Sequence, residues 1–177
     1  MATLPITQDG DPVLRAIAAQ VPAGLFGSEE LATMLRDMSD TLDSQPDGVA
    51  LAAPQVGLSY RIFIVRYDRM ERDEEVAKAM GPDVGIFINP EIVKSARKRE
   101  EMQEGCLSVR GVYGYTLRHA RATVRAQDER GVWFTRGGGG ILAQAFQHEI
   151  DHLDGILFID HAEELRTDTH EHATEPA

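Results

Sequence analysis

The sequence predicts an α+β fold. Three observations carry this: an amphipathic helical repeat near the start, a series of short β-branched segments through the middle, and a second helical stretch near the end that holds paired histidines. Helices, then several strands, then one helix is an α+β order. No internal repeat is visible.

The elements follow in chain order. Asp11-Pro12 reads as an N-cap with proline at the first helical position, opening a short helix through about Ala19. Ser28-Glu29-Glu30 opens a longer helix. Its Leu31, Met34, Leu35, Met38 and Leu42 recur every three or four residues, so one face packs on a core. Gln45-Pro46-Asp47-Gly48 ends it. Residues 61–66 (RIFIVR) form a strand. The charged stretch from Asp68 to Lys78, broken by Gly81-Pro82-Asp83, reads as a surface insertion or short exposed helix. Residues 86–89 form another strand, stopped by Pro90. Residues 122–126 and 131–135 flank Asp128-Glu129-Arg130 as a hairpin. Gly137 through Gly140 reads as a flexible connector; no Lys-Ser or Lys-Thr follows to make it a phosphate cradle. A helix then runs from Ile141 to about Leu153, with Leu142, Phe146 and Leu153 as its apolar stripe and Gly155 at its C-terminal cap. A short helix to about Arg166 follows. Residues 1–166 are expected to form a single metallohydrolase domain, and 167–177 an acidic, disordered tail holding His170 and His172.

Composition sets limits. A chain of 177 residues with 42% hydrophobic content suits one sizeable core and excludes intrinsic disorder throughout. No apolar run reaches the ~18–20 residues that span a bilayer, and the first residues show no secretory signal. The expected location is the cytoplasm. The net charge of −11 argues against direct nucleic-acid binding. From Asp160 onward the chain has six acids and Arg166 as its one permanent base.

The richest stretch is Gln147-His148-Glu149-Ile150-Asp151-His152. At about 100° per residue, His148 and His152 sit about 40° apart on one helix face. Two imidazoles so placed make half of a transition-metal site, and Glu149 beside them can move protons. Cys106 is the only cysteine, which excludes an internal disulfide. In Glu104-Gly105-Cys106-Leu107-Ser108-Val109 it reads as entering a strand, with Gly105 admitting close approach to the backbone. Cys106, His148 and His152 would give a divalent metal three ligands and leave one position open, the catalytic pattern. Residues 48–57 (GVALAAPQVG) are small and apolar apart from Gln55, and read as a backbone ledge for an extended peptide with one side-chain amide donor.

These three segments, GVALAAPQVG, EGCLSV and QHEIDHLDG, closely resemble the peptide deformylase family, whose motifs run in this order. The resemblance spans roughly Ile6 to Ile159 and includes Asp11-Pro12-Val13-Leu14-Arg15 and Phe87-Ile88-Asn89-Pro90-Glu91-Ile92. It implies mixed and antiparallel sheets around a central metal-binding helix. It implies removal of the formyl group from N-formylmethionyl nascent peptides, with Glu149 moving the proton and Gln55 and the Leu107 N–H meeting the oxyanion. Val49, Ala50 and Gly105 would pair with the peptide backbone, and Ala145 and Phe146 are candidates for the methionine pocket. The implied native metal is Fe(II), with Zn, Ni or Co able to replace it in purified protein. Some deformylases reach the ribosome by a basic C-terminal helix, but this acidic end has the opposite sign, so only transient proximity is expected, with the protein a monomer. Ala50 and Arg110 stand where the family often has glycine and proline, which bears on substrate preference. Two rival readings remain at this stage: a zinc peptidase using the same HExxH pattern, and a non-catalytic peptide binder.

Overall fold

In the computed structural model, residues 2–71 and 83–167 are described. Most of the charged stretch after Asp68, and the tail with His170 and His172, lie outside them.

The first helical signal yields only a single 3-10 turn, Pro12–Arg15, with Asp11 capping Val13. The chain is already extended at Ala16, so the helix expected through Ala19 does not form. Helix α1 spans Glu29–Asp43, with the Ser28 hydroxyl accepting from the Leu31 N–H. Its Leu31, Leu35, Met38 and Leu42 are buried, as their spacing requires. Helix α2 spans Gly140–Leu153 and carries both site histidines. Gly155, at φ 75°, follows its C-cap.

Among the described residues, eight strands make two sheets. Strands β1 (Ala50–Ala52), β2 (Ile62–Arg66), β3 (Val84–Ser95), β6 (Arg121–Gln127) and β7 (Trp133–Gly139) form the larger, in the order β1-β2-β3-β6-β7. Strands β4 (Arg99–Cys106), β5 (Val109–His119) and β8 (Glu163–Thr167) form the smaller, in the order β4-β5-β8. Every pairing within them is antiparallel. Among the described residues, a parallel contact occurs only as an isolated bridge, Ala19 to Tyr60.

Strand β2 is buried along its whole length because the larger sheet is covered on both faces. Phe63 and Val65 share a core with Phe87, Phe146, Ile150 and Leu153 on the α2 side. Ile62 and Ile64 point the other way, into the core built by Leu31, Leu35, Met38 and Leu42 of α1. Period-two alternation thus serves two cores at once. Helix α2 contacts strands of both sheets, which makes it the central element. Among the described residues, no helix is long and apolar enough to cross a membrane.

Four further expectations change. Strand β3 does not stop at Pro90 but runs on to Ser95. Proline is tolerated because it sits in a register shift between Ile88 and Glu91, where no ladder N–H is needed. Asn89 makes that bulge at φ 51°, its side chain bonded to the N–H and C=O of Val21. Gly137 to Gly139 are not a connector: they pair with Thr123 to Arg121 as the end of β7. A Cβ on Gly138 would lie 2.7 Å from Leu142, so the missing side chain lets α2 pack on the strand. Glu163–Thr167 is strand β8, not a helix, because β5 offers it an open edge. Cys106 ends β4 rather than entering a strand. The hairpin around Asp128 forms as expected.

Candidate active site

Cys106 arrives at the end of β4, and His148 and His152 stand one turn apart on α2. Cys106 Sγ lies 3.2 Å from His152 Nε2, which lies 3.2 Å from His148 Nε2, and the three donor atoms all fall within 4.8 Å of one another. Metal bonds of roughly 2.0–2.1 Å to nitrogen and 2.3 Å to sulfur put tetrahedral ligand atoms about 3.3–3.6 Å apart. The two 3.2 Å separations are within a few tenths of an ångström of that, and all three atoms lie within 4.8 Å, so the three residues can converge on a divalent ion. Burial holds His152 in the neutral form, well below its ordinary range, as a ligand requires.

The His148 ring is fixed from behind. Its Nδ1 meets Glu104 Oε1, which turns Nε2 toward the other donors. Glu104 is itself fully engaged. Arg118 donates Nη2 to Oε1 at 2.6 Å and Nε to Oε2 at 3.0 Å, and Thr116 donates its hydroxyl to Oε2. Arg118 also reaches Asp151 Oδ2 at 2.6 Å, tying β5 to α2. Burial by itself would raise Glu104, but His148 and Arg118 overcome it and hold the carboxyl well below its usual range. Glu104 and Arg118 were not singled out in the sequence. The carboxylate two residues before the lone cysteine was a signal; Arg118 had none, because only the β4–β5 pairing brings it there.

Glu104→Ala should therefore lower metal affinity about 10–100-fold, the usual cost of losing an outer-shell partner. It should also leave the Nε and Nη2 of buried Arg118 without their carboxylate, with Asp151 as its remaining partner, so the loss should stay below the roughly 3–5 kcal/mol of a fully broken buried pair. A chelator-competition titration and a denaturation curve check the two effects. Because folding depresses the Glu104 pKa, its contribution is present above the ordinary value of 4.5 and is lost as the pH falls below that. Wild type should lose stability through that range more steeply than the variant.

Glu149 is buried beside His148, and its Oε2 has no hydrogen-bond partner among the described residues. Burial pushes it up to about 7, where a carboxyl can both take and return a proton near neutrality. Gln55 sits on the short turn after β1. Its Oε1 accepts the Ala52 N–H at 2.8 Å, which turns Nε2 toward Ser108 Oγ (3.2 Å) and Cys106 Sγ (3.4 Å). The Ser108 N–H also donates to Cys106 Sγ at 3.4 Å. Ser108 thus helps hold both groups, a role the sequence did not signal.

A cleft of about 280 Å³ opens onto these groups. Val49, Ala50, Gln55, Gly105, Cys106, Leu107, His148 and Glu149 all line it, and His152 stands just behind in the donor cluster, so the structure brings every proposed site residue together. Ala145 lines it too. Phe146 does not: it is fully buried against Phe63 and Phe87 in the core. Gly105 faces Tyr113, whose ring lies 2.8 Å from where a Cβ would stand.

A cysteine at the end of β4 facing two imidazoles of a central HExxH helix, with an acid poised in the cleft beside them, defines a metal-dependent hydrolase. The comparisons narrow it: residues 3–168 match the polypeptide deformylase family, and the chain belongs to that family. A peptide deformylase of Dehalococcoides mccartyi (strain CBDB1) is 42% identical over 163 residues, covering 92% of this chain and 88% of the relative. A Legionella pneumophila peptide deformylase structure superposes with a TM-score of 0.79 at 39% identity, covering 92% of this chain and 88% of that one. A class I type b peptide deformylase from Acinetobacter baumannii, bound to Met-Ala-Ser, superposes with a TM-score of 0.81 at 32% identity, covering 90% of this chain and 98% of that one.

Proposed function

We propose that this chain hydrolyses the formyl group from N-formylmethionyl nascent polypeptides, releasing formate and a free N-terminus. The observation that carries the reading is a cleft bordered by two open strand edges that ends on the Cys106, His148 and His152 donors beside Glu149. Strand β1 is the edge of one sheet and β4 the edge of the other. Val49 O accepts from Arg66 on β2, so by alternation the N–H and C=O of Ala50 face away from β2, toward the cleft. Gln103 O accepts from Gln144 of α2, so Gly105, two residues on, also turns its backbone to the open side. Val49, Ala50 and Gly105 would hold an extended peptide by strand addition. Met-Ala-Ser, the peptide in the A. baumannii structure, is what deformylation of formyl-Met-Ala-Ser would leave.

When bound, a divalent ion supplies Lewis acidity and lowers the pKa of water. Glu149 Oε2 takes the proton of the attacking water and returns it to the departing amine nitrogen. Gln55 Nε2 and the Leu107 N–H donate to the formyl oxygen as it gains charge. The confined end of the cleft admits a formyl hydrogen more readily than a further residue, which sets deformylation apart from peptide cleavage. One sulfur and two nitrogens suit iron, zinc, cobalt or nickel. Fe(II) is the native ion in this proposal, and an Fe(II)–thiolate site makes the enzyme oxygen-sensitive.

Residues 1–166 act as one catalytic domain, a cytoplasmic monomer, with the acidic residues beyond as a tail. From Asp160 to Ala177 the chain carries six acids against Arg166, a charge that repels phosphate, so meetings with the ribosome are transient and no nucleic acid is bound directly. The test is formate release from a formyl-Met peptide by metal-defined protein. Formate equal to new amine, with the peptide otherwise intact, is the expected result. Internal cleavage would point instead to a peptidase, and neither product to a peptide binder.

A further inference from the structure

Of the charged side chains lining the cleft, Glu104 and Glu149 are buried, whereas Asp47 and Arg110 are exposed and bonded to each other. Asp47 precedes the wall formed by Gly48, Val49 and Ala50. Arg110 follows Cys106 on the facing wall. Arg110 Nη1 donates to Asp47 Oδ2 at 2.6 Å, and Nη2 donates to Gln45 Oε1. The two side chains are 45% and 56% exposed, so any peptide leaving by this mouth passes them in water.

The direction of that exit follows from the walls. From Ala50 the chain runs one way to Ala52 and Gln55, beside the metal donors, and the other way through Gly48 to Asp47 at the surface. A formyl group at the donors sends the rest of its peptide toward Asp47. The turn at Asp47 and the bend at Val49 keep the three steps from Ala50 to Asp47 within the roughly 10 Å that an extended chain would cover. The residues that follow methionine therefore travel past the pair.

We propose that Asp47 and Arg110 together determine charge tolerance downstream of the methionine. Each cancels the field of the other, so acidic, neutral and basic residues pass alike. This rests on the reading that the cleft binds formyl-Met peptides. Arg110 alone would favour acidic residues and Asp47 alone basic ones; paired, they favour neither. Gln45 anchors the guanidinium independently of Asp47, so Arg110 stays at the mouth when Asp47 loses its charge. An asparagine at position 47 also keeps an oxygen to accept from it.

The experiment compares kcat/KM for formyl-Met peptides carrying Glu or Lys at the next two positions, at low salt, in metal-loaded full-length protein. The Glu-to-Lys ratio is internal to each variant and is independent of how much protein is active. Wild type should give a ratio near one. Asp47→Asn should raise it about five-fold and Arg110→Gln lower it by a similar factor, the scale of an exposed ion pair. Combining the two substitutions should return it to one, and high salt should erase every difference. Ratios unmoved in both single variants while formate still forms would overturn the role of the pair alone, as would a strong charge preference in wild type. No formate from any peptide would overturn the reading of the site, and this proposal with it.

Discussion

Glu149→Gln should abolish most turnover while leaving the fold and the metal in place. The substitution is nearly isosteric, and Glu149 Oε2 makes no hydrogen bond among the described residues that an amide would break. It also removes a carboxyl that burial drives up to about 7, so a neutral amide should sit in the same cavity at no cost in stability. What an amide cannot do is accept the water proton or return it to the leaving nitrogen. General acid–base groups are worth about 10²–10⁴-fold in rate, and this one is asked to act twice in each cycle. The measurement is kcat for formate release alongside metal content and thermal unfolding. Near wild-type turnover in protein of confirmed metal content would remove Glu149 from the proton path.

Cys106→Ser should lower metal affinity and activity together. A thiolate is a strong ligand at neutral pH, whereas a serine hydroxyl keeps its proton and binds poorly. The loss should spread beyond the metal. Cys106 Sγ also receives the Ser108 N–H and faces Gln55 Nε2, so a smaller oxygen there loosens the groups around it. Equilibrium dialysis against a chelator series, paired with formate release at each metal occupancy, follows both effects. Stoichiometric metal and unchanged activity in the variant would exclude Cys106 from the ligand set.

Much of the larger sheet and both long helices were legible from local pattern. Leu31, Leu35, Met38 and Leu42 fall on one face by spacing alone, and Ser28 is a cap by chemistry. The smaller sheet was not legible. Strand β4 reads Arg-Glu-Glu-Met-Gln-Glu before Gly105, a charged run with little β-propensity, and it is a strand because β5 pairs along it. Strand β8 is likewise exposed throughout and polar apart from Leu165. Gly137 to Gly139 looked like a connector because glycine is permissive; here the strand needs their missing side chains for α2 to approach. Pro90 looked like a stop because no sequence signal placed it in a bulge.

The sequence by itself determined the chemistry: the two histidines and the glutamate are held within five residues of one helix, where 3.6-residue periodicity settles their relation without any distant contact. It also marked Gln55, the one amide in a small apolar segment, and Cys106, the lone cysteine beside Gly105, as candidates. Only the tertiary structure decided how these groups act together. Cys106 reaches His152, 46 positions further along the chain, because β4 ends beside α2. Glu104 and Arg118 meet because antiparallel pairing folds β5 back on β4. Asp47 and Arg110 neutralise each other because two walls of one cleft meet at its mouth. Such contacts are set by pairing register and by the packing of elements far apart in the chain. A local pattern carries no trace of them, since the residues on either side of each partner are chosen by a different part of the fold.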